Sequence, residues 1–325
     1  MSSSQYRSTA PLRSASASGF VLAVGSAASF GLSGIFASAL MSAGWSAGAA
    51  TTARITCSAL VLFWPTLVIM RGRWHLVRRA WLQLLLFGAL AVAGCQLAFF
   101  LAVQFIAPSL ALLIEFTGPV MLMLWIWARS RRAPSRLTML GAAIAVLGVV
   151  AVSGVIAGVT LHPLGVLFAL VAAAGNAAYY ATGATSDHGI PTLPFVGLGL
   201  VLATVMLAVA IGAGVLPFTI TANPTELAGV ELSPWTVVTA MVLISTVLAY
   251  LLGVAASRRL GATVSSFTGY SEPLFGIFWT IVLLSIVPTG LQWAGAALII
   301  IGVVVVKVGE LRRYTSHSAL LPLHK

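Results

Sequence analysis

The sequence predicts an all-α membrane protein in which ten transmembrane helices form two inverted five-helix repeats. Three observations lead to this fold class: an apolar composition, ten long apolar runs whose basic flanks lie on one side, and an internal repeat. Of the 325 residues, 60% are hydrophobic and only 7% are charged. Because a soluble domain has roughly a quarter charged residues, this chain lacks the polar groups to cover a water-exposed surface.

Apolar runs of about 20 residues mark the predicted spans, because a helix of that length crosses the hydrocarbon core of a bilayer. The predicted helices 1 to 10 cover residues 19–41, 47–70, 84–105, 108–128, 137–155, 164–183, 194–214, 235–257, 263–285 and 290–308. The Ser-rich segment before helix 1 resembles a signal peptide, but the apolar run that follows is longer than a usual signal core. We therefore expect an uncleaved first span.

The net charge of +11 comes from Lys and Arg residues that lie mainly in short loops and tails. All 17 of them except Arg54 fall on one side of the membrane if the chain spans it ten times with both ends inside. Because basic loops stay in the cytoplasm, the sequence predicts a multi-pass inner (plasma) membrane protein with both termini cytoplasmic. The charge therefore indicates topology, and we expect no nucleic acid as a partner.

An internal repeat appears when the chain is compared with itself at a shift of 154 residues. "GAAIAVLGVV" at 141–150 meets "GAALIIIGVV" at 295–304, and helix 1 matches helix 6 more weakly at a shift of 145. Each repeat has five helices, an odd number, so the second repeat enters the membrane from the opposite side. The predicted organisation is a cytoplasmic N-tail 1–18, two repeats at 19–155 and 164–308, and a cytoplasmic C-tail 309–325.

Three charged residues lie clearly within predicted spans: Arg54, Glu115 and Glu272. Arg54 and Glu115 each lie about seven residues into helices that run in the same direction, so both are roughly 10–12 Å below the outer boundary. Their opposite charges at matched depth allow either an ion pair that braces the helices or a ligand shared between them. Since charged groups within a membrane are costly, all three are candidates for a binding site.

Two prolines, Pro119 and Pro273, align under the repeat and are predicted to interrupt helices 4 and 9. Proline lacks an amide hydrogen, so the carbonyls of Glu115 and Gly269 lose their helical donors. Transporters with inverted repeats bind cargo at such interruptions, although a simple packing kink is the alternative. Other polar side chains in the spans are candidates for the same site or for interhelical hydrogen bonds: Gln96, Asn176, Tyr179 and Tyr270.

Catalytic and metal-binding signatures are missing from the sequence. It has no HExxH, CxxC, GxSxG or phosphate-binding glycine loop, and every histidine falls in a predicted loop or tail. The acidic residues Glu226 and Glu231 before helix 8 are interpreted as solvated charges. We therefore expect neither an enzyme nor a bound metal or cofactor. A lipid-acting enzyme or a non-transporting scaffold is the alternative from another class, but neither explains opposite charges at matched depth.

The repeat pair and several shorter segments resemble the EamA branch of the drug/metabolite transporter superfamily. "ARITCSAL" (53–60), which contains Arg54, is similar to its helix-2 arginine motif, and "SEPLFG" (271–276) is similar to its helix-9 Glu-Pro. "LALLIEFTGPV" (110–120) and "SRRAP" (130–134) resemble threonine/homoserine-type amino-acid exporters. The resemblance covers 19–308. One departure is "LLSIVP" (283–288), which lacks an acidic residue that the family often has near the end of helix 9.

The resemblance implies a secondary transporter that exports small polar metabolites, with amino acids as the expected class, by alternating access. A zwitterion offers its carboxylate to Arg54 and its ammonium to Glu115 or Glu272, and Glu272 is the candidate to carry a coupling proton. A multidrug or organic-cation exporter of the same superfamily is the alternative; it would favour aromatic cages and would leave Arg54 unexplained. The expected partners are a small-molecule substrate, protons and the lipid bilayer.

Overall fold

The computed structural model describes residues 10–106, 108–131, 133–153, 162–285, 287 and 289–318. The outer parts of both predicted tails, and Arg132 of the "SRRAP" segment, lie outside the described residues. Within the described ranges, nine helices are long and apolar enough to cross a membrane, and Arg136–Val152 is a shorter apolar helix that supplies the tenth. The predicted ten-helix membrane fold is confirmed.

The membrane helices of the first repeat are helix 1 (Ala10–Gly31 and Ser33–Ser42), helix 2 (Ala47–Ile69), helix 3 (Trp81–Leu85, a π-helical segment Leu86–Gly94, and Cys95–Ala102), helix 4 (Pro108–Glu115 and Gly118–Ser130) and helix 5 (Arg136–Ser153). Those of the second are helix 6 (Pro163–Ala184), helix 7 (Thr192–Gly212), helix 8 (Pro234–Val242, a π-helical segment Leu243–Leu248, and Ala249–Leu260), helix 9 (Ala262–Thr268, a 3₁₀ turn Gly269–Ser271, and Glu272–Leu284) and helix 10 (Gly290–Ser318). A short helix, His75–Arg79, precedes helix 3.

Several helix ends differ from the predicted spans, and the largest differences are in the tails: helix 1 begins at Ala10, within the predicted N-tail 1–18. Helix 3 begins at Trp81, three residues before the predicted start at 84, because Trp81 and Leu82 continue the apolar run. Helix 10 continues to Ser318, through much of the predicted C-tail. The sequence from 307 to 318 has no proline, so nothing in it ends the helix at the membrane boundary.

The repeat found in the sequence is reproduced in the backbone at the same shift of 154 residues. The π-helical segments of helices 3 and 8 end at the matched residues Gly94 and Leu248. The last segments of helices 4 and 9 both end at a residue with a left-handed backbone, Arg131 (φ 52°) and Ser285 (φ 56°), which are also matched. The two repeats therefore share their helix interruptions as well as their helices.

Helices 5 and 10 show directly that one repeat is inverted relative to the other. Gly141 lies against Val306 and Gly148 against Ile299, so the partner's number falls as the chain advances, and the helices are antiparallel. A Cβ on Gly148 would lie 2.8 Å from the carbonyl oxygen of Gly295, and a Cβ on Gly295 would lie 2.8 Å from that of Gly148. Matched helices that run antiparallel are the signature of an inverted repeat.

The remaining helices also pack in matched pairs. Helix 1 packs on helices 8 and 9, as helix 6 packs on helices 3 and 4, and helix 2 packs on helix 7. Large apolar side chains such as Leu60 and Trp64 remain exposed on the outer surface, 67% and 72%, which in a bilayer places them in lipid. The polar residues of helices 1, 3, 4, 6, 8 and 9 therefore share the interior.

The long loop between helices 7 and 8 contains the only strands in the described residues, a hairpin of β1 (Thr225–Leu227) and β2 (Val230–Leu232) that the sequence did not predict. Glu226 and Glu231 are exposed and face each other across it. The loop is hydrogen-bonded to the turn between helices 1 and 2: Trp45 Nε1 donates to Thr221 O at 2.8 Å. The loop therefore covers that turn.

Candidate substrate site

Helix 4 is interrupted just before Pro119. Its first segment ends at Glu115, and Phe116 and Thr117 form a turn in which the Thr117 hydroxyl donates to Ile114 O at 2.7 Å. The second segment starts at Gly118, with Pro119 in its first turn, where the missing amide hydrogen needs no partner. Glu115 thus lies at the C-terminal end of a helix segment within the membrane.

Helix 9 is interrupted at the matched position. A 3₁₀ turn, Gly269–Ser271, separates its segments, and the Ser271 hydroxyl donates to Thr268 O at 2.7 Å. The second segment begins with Glu272 followed by Pro273. Glu272 therefore lies at a helix N-terminus, where the helix dipole stabilises a negative charge.

Arg54 lies on helix 2 with only 8% of its surface exposed. Its Nη1 donates to the hydroxyl of Ser33, the first residue after the break in helix 1. Its Nε is buried without a hydrogen-bond partner. An arginine with an unpartnered donor inside the membrane is suited to receive an anionic group.

Glu115 is half-buried, and its Oε1 accepts a hydrogen bond from the Cys95 thiol of helix 3 at 3.4 Å. Within the described part of the chain, neither a hydrogen bond nor an ion pair joins Glu115 to Arg54. The direct pair allowed by the sequence is therefore absent from this conformation. Arg54 nevertheless interacts electrostatically with both Glu115 and Glu272, and the two carboxylates with each other.

Helix 6 contributes a polar side chain to each interruption. Asn176 lies against Gly118, where a Cβ would come within 2.8 Å of its Oδ1, and that oxygen is buried without a partner. One turn later, the hydroxyl of Tyr180 lies against Gly269. Gly118 and Gly269 are thus the residues that let helix 6 approach the two interruptions closely.

A small, partly open cleft lies between helices 1, 8 and 9 next to Tyr180 of helix 6. Its lining combines small residues, two serines, two aromatic rings and one carboxylate: Ala23, Ser26, Ala27, Phe30, Tyr180, Gly253, Ser265, Gly269 and Glu272. Of the residues predicted from sequence, only Glu272 lines it.

An aromatic cluster adjoins this cleft. Tyr179 is 7% exposed, and its ring contacts Phe30, Phe87, Tyr180 and Tyr250 with centroid separations of 4.8–6.4 Å. Tyr250 follows the π-helical segment of helix 8 by two residues, as its repeat mate Gln96 follows that of helix 3. π-helical segments inside α-helices occur frequently at functional sites.

Two predicted residues lie apart from the cleft. Tyr270 is fully buried and packs on Phe116 and Phe267, and its hydroxyl has no partner. Gln96 is half-buried and is not among the cleft-lining residues; its neighbour in the chain, Cys95, contacts Glu115. Sequence reasoning did not select Ser26 or Phe30 of helix 1, because a serine or phenylalanine in an apolar run gives no signal of its own. Tyr180 is the next residue after Tyr179 on helix 6.

Comparison with known proteins gives a family and a related fold. The model of the EamA-like transporter family matches residues 17–154 and 163–308. A solved structure described as "Crystal structure of protein" superposes with a TM-score of 0.70 at 18% identity, over 91% of this chain and 98% of that one. No curated protein matches the sequence.

Proposed function

Because the chain belongs to the EamA-like transporter family, we propose that it exports small polar metabolites, with amino acids as the substrate class, by alternating access between its two repeats. The family makes the protein a membrane transporter, and the substrate class is our inference from the site. The observation that carries it is a buried arginine, Arg54, whose Nε lacks a partner, in the same membrane interior as two interrupted helices that each carry a glutamate.

An α-amino acid matches these residues because it carries one charge of each sign. In the proposed complex, the carboxylate binds Arg54 through its unpartnered Nε, and the ammonium binds a glutamate. The amide of Asn176, with its unpartnered Oδ1, and Gln96 supply hydrogen bonds, while Tyr179 and Tyr270 shape the surrounding wall. Pro119 and Pro273 keep the two interruptions open. Transport needs no resident cofactor in this scheme, and protons are the coupling partner.

The proposal is tested by loading cells, with and without the gene, with radiolabelled amino acids and following efflux. We expect faster efflux of at least one amino acid, lost in Arg54→Gln. Glu226→Gln, in the exposed hairpin, is the matched control and should transport normally. Efflux that favours neutral or purely cationic compounds over every amino acid would reject the substrate class.

An organic-cation exporter is the second candidate. The aromatic cluster of Phe30, Phe87, Tyr179, Tyr180 and Tyr250 favours it, because aromatic faces attract cations. The two candidates differ at Arg54: a cation exporter should keep or improve its activity when this positive charge is neutralised. Efflux of a quaternary ammonium dye in Arg54→Gln therefore separates the two.

We also propose that the protein resides in the inner membrane with both termini in the cytoplasm, as the basic loops indicate. In a variant without Cys57 and Cys95, Ala228→Cys in the hairpin should react with an impermeant thiol reagent added outside. Arg73→Cys, in the loop before helix 3, should react only after the membrane is opened. Labelling of both from outside would reject this orientation.

A further inference from the structure

We propose that the cleft between helices 1, 8 and 9 is the subsite for the primary ammonium group of the substrate, with Glu272 as its counter-ion. This assignment rests on the proposed function and decides between the two glutamates that the site offers. It also adds Ser26, Ser265, Phe30 and Tyr180 to the binding residues.

Charge is the first argument. Glu272 is the one ionisable carboxylate among the nine cleft-lining residues, and none of the nine carries a positive charge. Among described residues, no side chain donates a hydrogen bond to Glu272, whereas Glu115 already accepts one from Cys95. When Glu115 and Glu272 are both ionised, the central group of these acids and Arg54 has two negative charges and one positive charge, so one negative charge lacks a compensating cation. An ammonium in the cleft supplies it.

Hydrogen-bonding capacity is the second argument. The hydroxyl of Ser26 donates its one hydrogen to Ala249 O at 2.8 Å, so toward the cleft it has only lone pairs to offer. The hydroxyl of Ser257 donates to Gly253 O at 2.9 Å. Its contact with Ser265, also 2.9 Å, must therefore use the hydrogen of Ser265, which leaves the Ser265 oxygen an acceptor as well.

The polar oxygens of Ser26, Ser265 and Glu272 are thus all acceptors. A primary ammonium has three donors and no acceptor, so it complements them. A neutral alcohol has one donor and no charge, and a quaternary ammonium has no N–H to donate. The acceptors of Ser26, Ser265 and Glu272 therefore favour a primary ammonium over both, while the Tyr180 hydroxyl at the edge of the cleft can donate or accept.

The walls supply shape. Four cleft residues are alanine or glycine, so the backbones of helices 1, 8 and 9 come close together there: Ala23, Ala27, Gly253 and Gly269. A Cβ on Gly269 would collide with the Tyr180 hydroxyl, and one on Gly253 would lie 2.7 Å from Ser26 Oγ. Phe30 and Tyr180 present aromatic rings, which attract a cation. The cleft suits a compact cationic head and leaves little room for three methyl groups.

The test measures binding of three simple probes to the purified full-length protein in lipid nanodiscs by calorimetry. The probes are butylammonium, butyltrimethylammonium and 1-butanol, which share the alkyl chain and differ in the head group. We expect butylammonium to bind at least about tenfold more tightly than either of the others. Equal binding of the trimethyl compound or of the alcohol would overturn the assignment.

Variants locate the site. Glu272→Gln should weaken butylammonium binding at least about tenfold, and Ser265→Ala should weaken it several-fold. Glu310→Gln, which removes a carboxylate bonded to Thr138 at the end of helix 10, is the matched control. Should Glu272→Gln fail to fold, Ser26→Ala and Ser265→Ala keep the test decisive. A greater loss in Glu115→Gln than in Glu272→Gln would place the ammonium at helix 4 and contradict the proposal.

Failure of this assignment is distinguishable from failure of the proposed function. Amino-acid efflux combined with amine binding that ignores Glu272 would leave the function standing and remove the subsite. Amine binding that needs Glu272, in a protein that exports no amino acid, would keep the subsite and assign the protein to amine export.

Discussion

Helices 4 and 9 have the same interruption but place their glutamates on opposite sides of it. Under the repeat, Glu115 matches Gly269 and Gly118 matches Glu272, so acid and glycine are exchanged between the two helices. Glu115 therefore ends a helix segment, while Glu272 begins one. A helix dipole favours a negative charge at its N-terminus by roughly 0.3–1 kcal/mol and disfavours it at its C-terminus. Matched backbones thus give the two acids different tendencies to remain ionised.

The swapped positions of glutamate and glycine also determine which residues of helices 4 and 9 pack against helix 6. Where helix 4 has glycine, Asn176 fits against it, and where helix 9 has glycine, Tyr180 does. A single helix thereby contacts both interruptions, once through each repeat. The two repeats therefore share the same backbone interruptions, and their symmetry is broken by the side chains at those interruptions. The sequence prediction that Glu272 carries the coupling proton is untested; because the dipole favours a carboxylate there, we propose Glu115 as the alternative carrier.

The largest expected effect comes from neutralising the charged residues Arg54 and Glu115 within the membrane. Arg54→Gln should reduce gradient-driven efflux roughly 10- to 150-fold, because a hydrogen bond to the charged substrate group contributes roughly 1.5–3 kcal/mol. Glu115→Gln should reduce gradient-driven efflux as well, because it removes the proposed proton carrier. Arg54→Gln should also accumulate less protein, because it leaves the carboxylates without a cation and an unpaired charge in the membrane costs at least ~2.5 kcal/mol.

The double variant tests whether the two charges only balance each other. Arg54→Gln/Glu115→Gln should recover the protein level, measured by quantitative immunoblot, and should not recover efflux. Restored efflux in the double variant would show that Glu115 only neutralises Arg54, as in a structural brace.

The next effect separates the two acids. Glu115→Gln should retain substrate exchange between compartments at equal pH and lose the acceleration by a pH gradient, because it removes the proton carrier. Glu272→Gln should lose exchange itself, because it removes the ammonium subsite. Both are measured with radiolabelled substrate in proteoliposomes. A Glu115→Gln protein that still responds to the gradient would return the proton to Glu272.

A smaller effect breaks the contacts of helix 6. In Gly118→Ala the new Cβ would lie 2.8 Å from the backbone oxygen of Ala173, so we expect a loss of about 1–3 kcal/mol in unfolding free energy. In Gly269→Ala the Cβ would meet only the end of the Tyr180 side chain.

The rescue differs accordingly. Tyr180→Phe should restore most of the thermal stability of Gly269→Ala, whereas Asn176→Ala should not restore Gly118→Ala, because the Ala173 carbonyl remains. Equal rescue at both positions would mean that the helix-6 backbone does not lie against helix 4 as described.

The smallest expected effect is on the pH dependence of unfolding, and it comes from a histidine in a loop and not from the acids within the membrane. His188, in the loop between helices 6 and 7, is 2% exposed, stacks on Phe195, and lies near Arg258. Burial first, and then Arg258, lower the pKa of His188 below its ordinary value. Asp187 and Arg79 are the other charged groups that act on it.

Because the lowered pKa disfavours the charged form in the folded protein, the stability from His188 is complete above its unfolded pKa. It is lost as the pH falls from that value through the lowered pKa of the folded protein. Thermal unfolding of His188→Gln should therefore change less between pH 7.5 and pH 5 than that of the unmodified protein. The pH dependence of transport should be unchanged. An unchanged pH dependence of unfolding would mean that His188 stays neutral in both states.

The ten helices and their two interruptions could be predicted from the sequence, because each depends on residues that are recognisable one by one, namely long apolar runs and prolines. Runs of apolar residues give the ten helices, and Pro119 and Pro273 lie within two residues of both interruptions. The sequence allowed Arg54 and Glu115 either an ion pair or a shared ligand. The direct ion pair is absent from this conformation, because matched depth fixes height in the membrane and leaves the direction around each helix open. Arg54 turns to Ser33 instead.

Other features gave no signal because they depend on how helices meet. Ser26 and Phe30 are ordinary residues of an apolar helix until helices 8 and 9 close over them. The π-helical segments have apolar sequences that a plain α-helix would also accept. The hairpin before helix 8 is only three residues long on each side, and its facing glutamates oppose pairing.

The antiparallel contact of helices 5 and 10 has a consequence for synthesis. Helix 5 leaves the ribosome about 140 residues before helix 10, which at roughly 5–20 residues per second is on the order of ten seconds. During that time Gly141 and Gly148 have no partner helix and face lipid or the insertion machinery. Glycine tolerates this wait because it exposes no polar side chain. Until helix 10 is inserted, the first repeat therefore has an uncovered packing surface on helix 5. The helix bundle forms fully only after helix 10 packs on that surface.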